Sequence, residues 1–227
     1  MVRSLTQWMD YVVAGKDGEV GNCKDFLVEE GQWMIRYLVV DPRRWLPGRK
    51  VILSPYQLEG MDAEGRRLSA TLTTQEIENS PPLEEAGSLS RDYEEEWLKH
   101  YGLPRYWLEQ EEKGGSGRLL SVKDITGYHI QAKDGEIGHL ADLLAQAKTW
   151  KVYYAIIDTR NWLPGRQVCV LTDCIQWVDQ DQDKIGIDLT KEAIRHSPHY
   201  LPYEPMTREY QLVLHDYYGW PKYWDKL

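Results

Sequence analysis

The chain has 227 residues, a formal charge of −9 and an isoelectric point of about 5.2, a balance with no general field to gather polyanions and so one that argues against direct nucleic-acid binding. Its length allows one or two domains, and its three cysteines, Cys23, Cys169 and Cys174, are too few and too unevenly placed for a secreted disulfide framework. They read as reduced thiols of a cytoplasmic protein, and no stretch approaches the ~18 apolar residues of a membrane span.

In chain order, Tyr11 to Ala14 is expected to form a strand, and Lys16-Asp17-Gly18-Glu19 a tight hairpin with positive φ at both central residues. Val20 to Val28 and Trp33 to Val40 carry the β-branched and aromatic residues of two antiparallel strands. Leu46-Pro47-Gly48 has the order of a type II turn and leads into a strand over Lys50 to Leu53, with a last short strand over Leu68 to Leu72. Thr73 and Glu76 form a capping box for a short helix that Ser80-Pro81 ends. Ser90 caps a second helix with Tyr93, Trp97 and Tyr101 on one stripe and Gly102 at its end; Asp92 and Glu94 to Glu96 read as a solvated face near the helix dipole.

After a linker, the unit returns. Residues 17–54 match 134–171 at 16 of 38 positions without a gap, and the offset of 117 also relates Gly102-Leu103-Pro104-Arg105-Tyr106-Trp107 to Gly219-Trp220-Pro221-Lys222-Tyr223-Trp224. The chain therefore divides into repeat 1 (1–107), a linker (108–120) with Gly114-Gly115-Ser116-Gly117, and repeat 2 (121–227). In repeat 2 Thr190 lacks the box partner because Ala193 stands at the Glu76 position, and Thr207 caps the helix carrying Tyr210, Leu214 and Tyr217. Short strands with tight turns predict a mainly β chain: two tandem small antiparallel barrels, each followed by short helices, related by a pseudo-two-fold.

The shared pattern is an Asp-Gly-x-Ile/Val-Gly hairpin (Asp17 to Gly21, Asp134 to Gly138), a strand ending at Asp41 or Asp158, an Asn/Arg-Trp-Leu-Pro-Gly-Arg turn (Arg44 to Arg49, Asn161 to Arg166) and a Leu-Thr-x-x-x-Ile-x-x-Ser-Pro helix (Leu72 to Pro81, Leu189 to Pro198). It resembles the PRC-barrel family, named for the cytoplasmic domain of the photosynthetic reaction centre H subunit and also present in a bacterial ribosome maturation factor. The resemblance covers both repeats and is nearest to the stand-alone tandem form found in bacteria. It implies a small β-barrel used for protein contacts, without a catalytic set.

The residues themselves lead the same way. Asp17, Glu19 and Asp25, with Asp134, Glu136 and Asp142, read as turn and strand residues rather than acid–base pairs. Five of the six histidines lie in repeat 2; His129, His139, His196 and His199 are weak metal candidates, the fifth being His215, and no helical His pair or Cys-x-x-Cys accompanies them. Neither a metal nor a cofactor is expected. Arg43, Arg44, Arg49, Arg160 and Arg166 surround the Trp-Leu-Pro-Gly turns and are candidates for anion contact, the alternative being cover for Trp45 and Trp162.

Ten Trp and fifteen Tyr against one Phe suit interfaces, where amphipathic rings contribute most. The interface candidates are Tyr93, Trp97, Tyr101, Tyr106, Trp107, Tyr210, Leu214, Tyr217, Tyr223 and Trp224, in a contact between the repeats or between protomers; in the alternative they pin each chain end to its own barrel. The function expected is a non-catalytic interaction or scaffold module with an unidentified protein partner, no direct nucleic acid and no membrane insertion. Peripheral membrane association and a homodimer stay open. So do two further readings: a peripheral subunit of a photosynthetic or other membrane electron-transfer assembly, and a ribosome-assembly adaptor that binds a ribosomal protein.

Overall fold

A computed structural model describes residues 2–42, 49–83, 89–108, 117–159, 166–202 and 206–226. The Trp-Leu-Pro-Gly turns, with Arg43, Arg44 and Arg160, and the centre of the linker lie outside them. Strands β1 (Val2–Ser4), β2 (Val12–Ala14), β3 (Glu19–Glu29), β4 (Met34–Asp41), β5 (Val51–Leu53), β6 (Leu58–Asp62) and β7 (Arg67–Ala70) accompany helices α1 (Leu5–Trp8), α2 (Thr74–Glu78) and α3 (Arg91–Tyr101). The series returns 117 residues on as β8 (Leu119–Ser121), α4 (Val122–Ile125), β9 (His129–Ala132), β10 (Gly135–Gln146), β11 (Lys151–Asp158), β12 (Gln167–Leu171), β13 (Ile175–Asp179), β14 (Lys184–Ile187), α5 (Lys191–Arg195) and α6 (Arg208–Tyr218). The two-residue strand β15 (His199–Tyr200) lies between α5 and α6.

The chain forms two compact units, Thr6–Lys123 and Met1–Leu5 with Asp124–Leu227. In the first, the strand order is β6-β7-β2-β3-β4-β5, with β8 also on β3; in the second it is β13-β14-β9-β10-β11-β12-β15, with β1 also on β10. The mainly β class with short helices is as predicted. The ladders differ from a closed antiparallel barrel in two respects: β2–β7 and β9–β14 are parallel, and among the described residues no pairing joins the end strands of either order.

The units are not cut where the repeats are. By sequence β1 opens repeat 1, yet Val2 to Ser4 lie opposite Gln146 to Leu144 of β10; β8, its counterpart 117 residues on, runs from the end of the predicted linker into repeat 2, yet Leu119 to Ser121 lie opposite Glu29 to Leu27 of β3. Each repeat lays its first strand on the long strand of the other. Part of the predicted linker, Leu119 and Leu120, is therefore strand. Asp25 and Asp142 explain the fit. Each follows a β-bulge, after Cys23 and after Leu140, which re-aims the strand. Asp25 accepts from the Ser121 hydroxyl at 2.5 Å and the Lys123 N–H at 3.0 Å, and Asp142 accepts from the Ser4 hydroxyl.

The Asp-Gly hairpin forms differently from the sequence expectation. Asp17 and Gly18 do not take positive φ, whereas Gly135 in the second copy does, at 130°; the Asp17 carboxylate accepts the Thr74 N–H at 2.7 Å and the Thr74 hydroxyl at 3.0 Å at the start of α2. Asp134 accepts the Lys191 N–H of α5 at 2.8 Å in the same way. The second glycine of the motif is required by space: a Cβ on Gly21 would lie 2.2 Å from the Asp41 carbonyl oxygen, and one on Gly138 2.2 Å from that of Asp158. Gly21→Ala is accordingly expected to lower stability by about 1–3 kcal/mol, read by urea unfolding; a change near zero would mean that β3 and β4 can separate there without strain.

Helix ends follow the sequence closely. Thr73 and Glu76 make the reciprocal capping box, whereas Thr190 makes only its own bond to the Ala193 N–H. Ser90 and Thr207 cap α3 and α6, and Gly102 and Gly219 end them in the left-handed conformation at φ 65° and 70°.

Candidate functional site

The residues that the repeats share are engaged in their own fold. Besides Asp17, Asp25, Asp134 and Asp142, Arg49 donates to the carbonyls of Glu78, at 3.0 Å, and of Ser80, while Arg166 donates to the carbonyl of Ser197. These guanidinium groups close the C-terminal ends of α2 and α5, where carbonyls lack helical partners. Tyr93 and Tyr210 likewise donate to the carbonyls of Pro81 and Pro198, at 3.0 and 3.1 Å.

The described contacts of the interface candidates lie within their own units. Trp97 and Trp107 are buried with Tyr37, Val39, Ile52 and Leu98, and Tyr93, Tyr101 and Tyr106 pack against that cluster. Leu214 is buried with Tyr154, Ile156 and Cys169, and Tyr210 and Tyr223 pack against it; Trp224 stands edge-on to His215 at 4.7 Å. Tyr217 donates to the Ala193 carbonyl at 2.9 Å and is 41% exposed.

The weak metal candidates do not converge. His129 is exposed and pairs with Glu136 at 2.9 Å, His196, just past the end of α5, contacts Glu192 of that helix at 3.2 Å, and His199 is exposed on β15. His139 lies opposite His129 in the β9–β10 ladder, but among the described residues no group of three His, Cys, Asp or Glu could hold a metal ion. Burial pushes the thiols of Cys23 and Cys174 up to about 12 and that of buried Cys169 well above its ordinary value, so all three are thiols rather than nucleophilic thiolates near neutral pH.

The constellation that sequence reasoning missed lies beneath α3. Glu94 is 2% exposed, and its carboxylate accepts the Tyr106 hydroxyl at 2.6 Å and Arg91 at 3.1 Å. Arg91 also covers the Trp107 ring at 4.1 Å and donates to the Gly117 carbonyl at 3.0 Å, so one guanidinium holds the residue before the linker and a residue within it. Glu29, 0% exposed at the end of β3, takes Arg36 of β4 at 2.7 Å, and Arg36 in turn covers the Tyr106 ring at 4.2 Å. Burial above all holds the Glu94 carboxyl above the ordinary glutamate range, with the Tyr106 hydrogen bond and Arg91 opposing it.

The second unit builds the same place without those charges. Gln146, Tyr153 and Gln211 stand where repeat 1 has Glu29, Arg36 and Glu94. Gln211 accepts the Tyr223 hydroxyl at 3.0 Å and Arg208 at 3.3 Å, Arg208 covers Trp224 at 4.2 Å, and Tyr153 stacks on Tyr223 at 3.8 Å in place of the cation. A buried imidazole is added here, His215, at the Leu98 position and 0% exposed. Its Nδ1 lies 2.9 Å from the Pro221 carbonyl, which can only accept, so Nδ1 carries the proton and Nε2 accepts from the Tyr154 hydroxyl at 2.9 Å. Burial holds the imidazole below its ordinary pKa.

Chemically the first cluster is a closed, charge-balanced clamp, and the second keeps only the Arg208 guanidinium of it, adding one buried base. No protein-family model matches the chain, and no curated protein matches it either.

Proposed function

We propose that the protein is a non-catalytic scaffold or adaptor built from two tandem PRC-type repeats. The observation that carries this reading is that the ionisable groups common to both repeats, Asp17, Asp25 and Arg49 with Asp134, Asp142 and Arg166, hold helix ends and exchanged strands. Residues that recur in both copies and serve the fold in both leave the repeat as a frame for presenting surfaces. Among the described residues no helix is long and apolar enough to cross a membrane.

A surface that differs between the frames is the outer side of α6. There Val213, 56% exposed, and Tyr217, 41% exposed, replace Glu96 and His100 of α3. Affinity purification of the tagged chain from its own cells should return a reproducible protein partner that rebinds when purified, and Val213→Glu, which borrows the repeat 1 residue, should weaken that binding at least about tenfold, the ~1.4 kcal/mol expected of one interface anchor. Components of a membrane electron-transfer assembly, or a ribosomal protein, would specify the pathway. Turnover of a small molecule by the purified chain, with no partner recovered, would overturn the proposal.

A further inference from the structure

We infer that the two repeats carry protonation-operated latches of opposite sign on their corresponding helices, Glu94 in α3 and His215 in α6, which set how firmly each repeat holds its closing aromatic segment. The geometry is specific. Each group is buried against a tyrosine at equivalent positions of β4 and β11, Tyr37 and Tyr154, and each is tied to the segment after its helix: Glu94 to Tyr106, and through Arg91 to Trp107 and Gly117; His215 to the Pro221 carbonyl within a set of rings from Trp220, Tyr223 and Trp224. The other charged or titratable neighbours are Glu29 with its partner Arg36 behind Glu94, and Lys222 and Asp216, paired at 3.4 Å, beside His215.

The signs follow from burial. A carboxyl binds its proton more tightly when buried than when the segment opens to water, so acid favours the closed α3 latch, and the hold weakens as pH rises from the ordinary value of 4.5 through the raised closed-state value. An imidazole binds its proton less tightly when buried. A second N–H at Nε2 would also face the Tyr154 hydroxyl and turn its hydrogen away, so the α6 latch is firm above the ordinary 6.5 and weakens as pH falls below it. Acidification from neutral pH thus tightens one repeat and loosens the other.

Each repeat also supplies the control for its partner. Glu94→Gln reproduces Gln211, which makes the same two contacts, and His215→Leu reproduces Leu98. Hydrogen exchange of the full chain between pH 4 and 7.5, corrected for the intrinsic pH dependence of exchange, reads both latches at once. In the wild type, protection of 91–107 should fall with rising pH and that of 208–224 should rise, by about tenfold in the opening constant for each pKa unit between closed and open states. Glu94→Gln should abolish the first response alone, and His215→Leu the second alone. Wild-type responses of the same sign, or none, would overturn the inference without reference to either variant, as would persistence of the α3 response in Glu94→Gln.

Discussion

Arg36→Ala is expected to destabilise the Thr6–Lys123 unit by about 3–5 kcal/mol, because Glu29 is fully buried and loses the guanidinium that balances it. The cover that Arg36 gives the Tyr106 ring is lost with it, weakening the anchor on Glu94 as well. The triple change Glu29→Gln, Arg36→Tyr, Glu94→Gln removes more charge and should do the opposite. It installs the arrangement of the second unit, where Tyr153 stacks on Tyr223 and Gln211 receives Tyr223 and Arg208, with Arg91 kept as Arg208 is, and replacing the buried Glu29–Arg36 pair by packed neutral side chains is neutral or stabilising by about 1–4 kcal/mol. Urea unfolding of the two variants beside the wild type decides the matter. If the triple variant lost as much stability as Arg36→Ala, the charges would be structural necessities, and the contrast between the repeats would carry no functional weight.

That contrast was hidden in the sequence for a definable reason. Glu94 sits in the run Asp92 to Glu96, and read as a run it looks like a solvated helix face; Asp92 and Glu96 are indeed exposed, but Glu94 lies three and four residues before Trp97 and Leu98 and shares their buried stripe. Its counterpart Gln211 stands in the same relation to Leu214 and His215, so helical spacing combined with the repeat alignment held the signal. Signals that act within a few residues were legible: the capping box at Thr73, the caps at Ser90 and Thr207, and the glycines that end α3 and α6. Features decided by distant partners were not. Asp17 and Asp134 look like turn formers until α2 and α5 arrive to claim them, β6 is obscured by Glu59 and Gly60, and nothing local in Val2 to Ser4 or Leu119 to Ser121 announces which strand they will join.

Leu120→Ala tests that last point, and its expected effect is large: about 2–5 kcal/mol for a leucine that is fully buried on β8. The informative part is where the loss falls. By sequence Leu120 is the last residue of the predicted linker and leads into repeat 2, but it pairs with Val28 of β3, so hydrogen-exchange protection should drop across β3 and β4 and hold across β10 and β11. Val2→Ala, the reciprocal change on β1, should spare β3 and β4 and loosen β10 and β11. Loss across 135–158 in Leu120→Ala would show that each first strand serves its own repeat. The exchanged arrangement has a consequence for the duplication itself. A single repeat without its neighbour's first strand would leave Leu27 to Glu29 as an open strand edge and the Asp25 carboxylate without Ser121 and the Lys123 N–H, the kind of edge that invites pairing with another chain. Two repeats in one chain cover both edges by intramolecular closure, which a linker of this length strongly favours over pairing with a second molecule. With both edges covered within one chain, the two copies can differ at buried positions such as Glu94 and His215 while sharing the same strand and helix-end contacts.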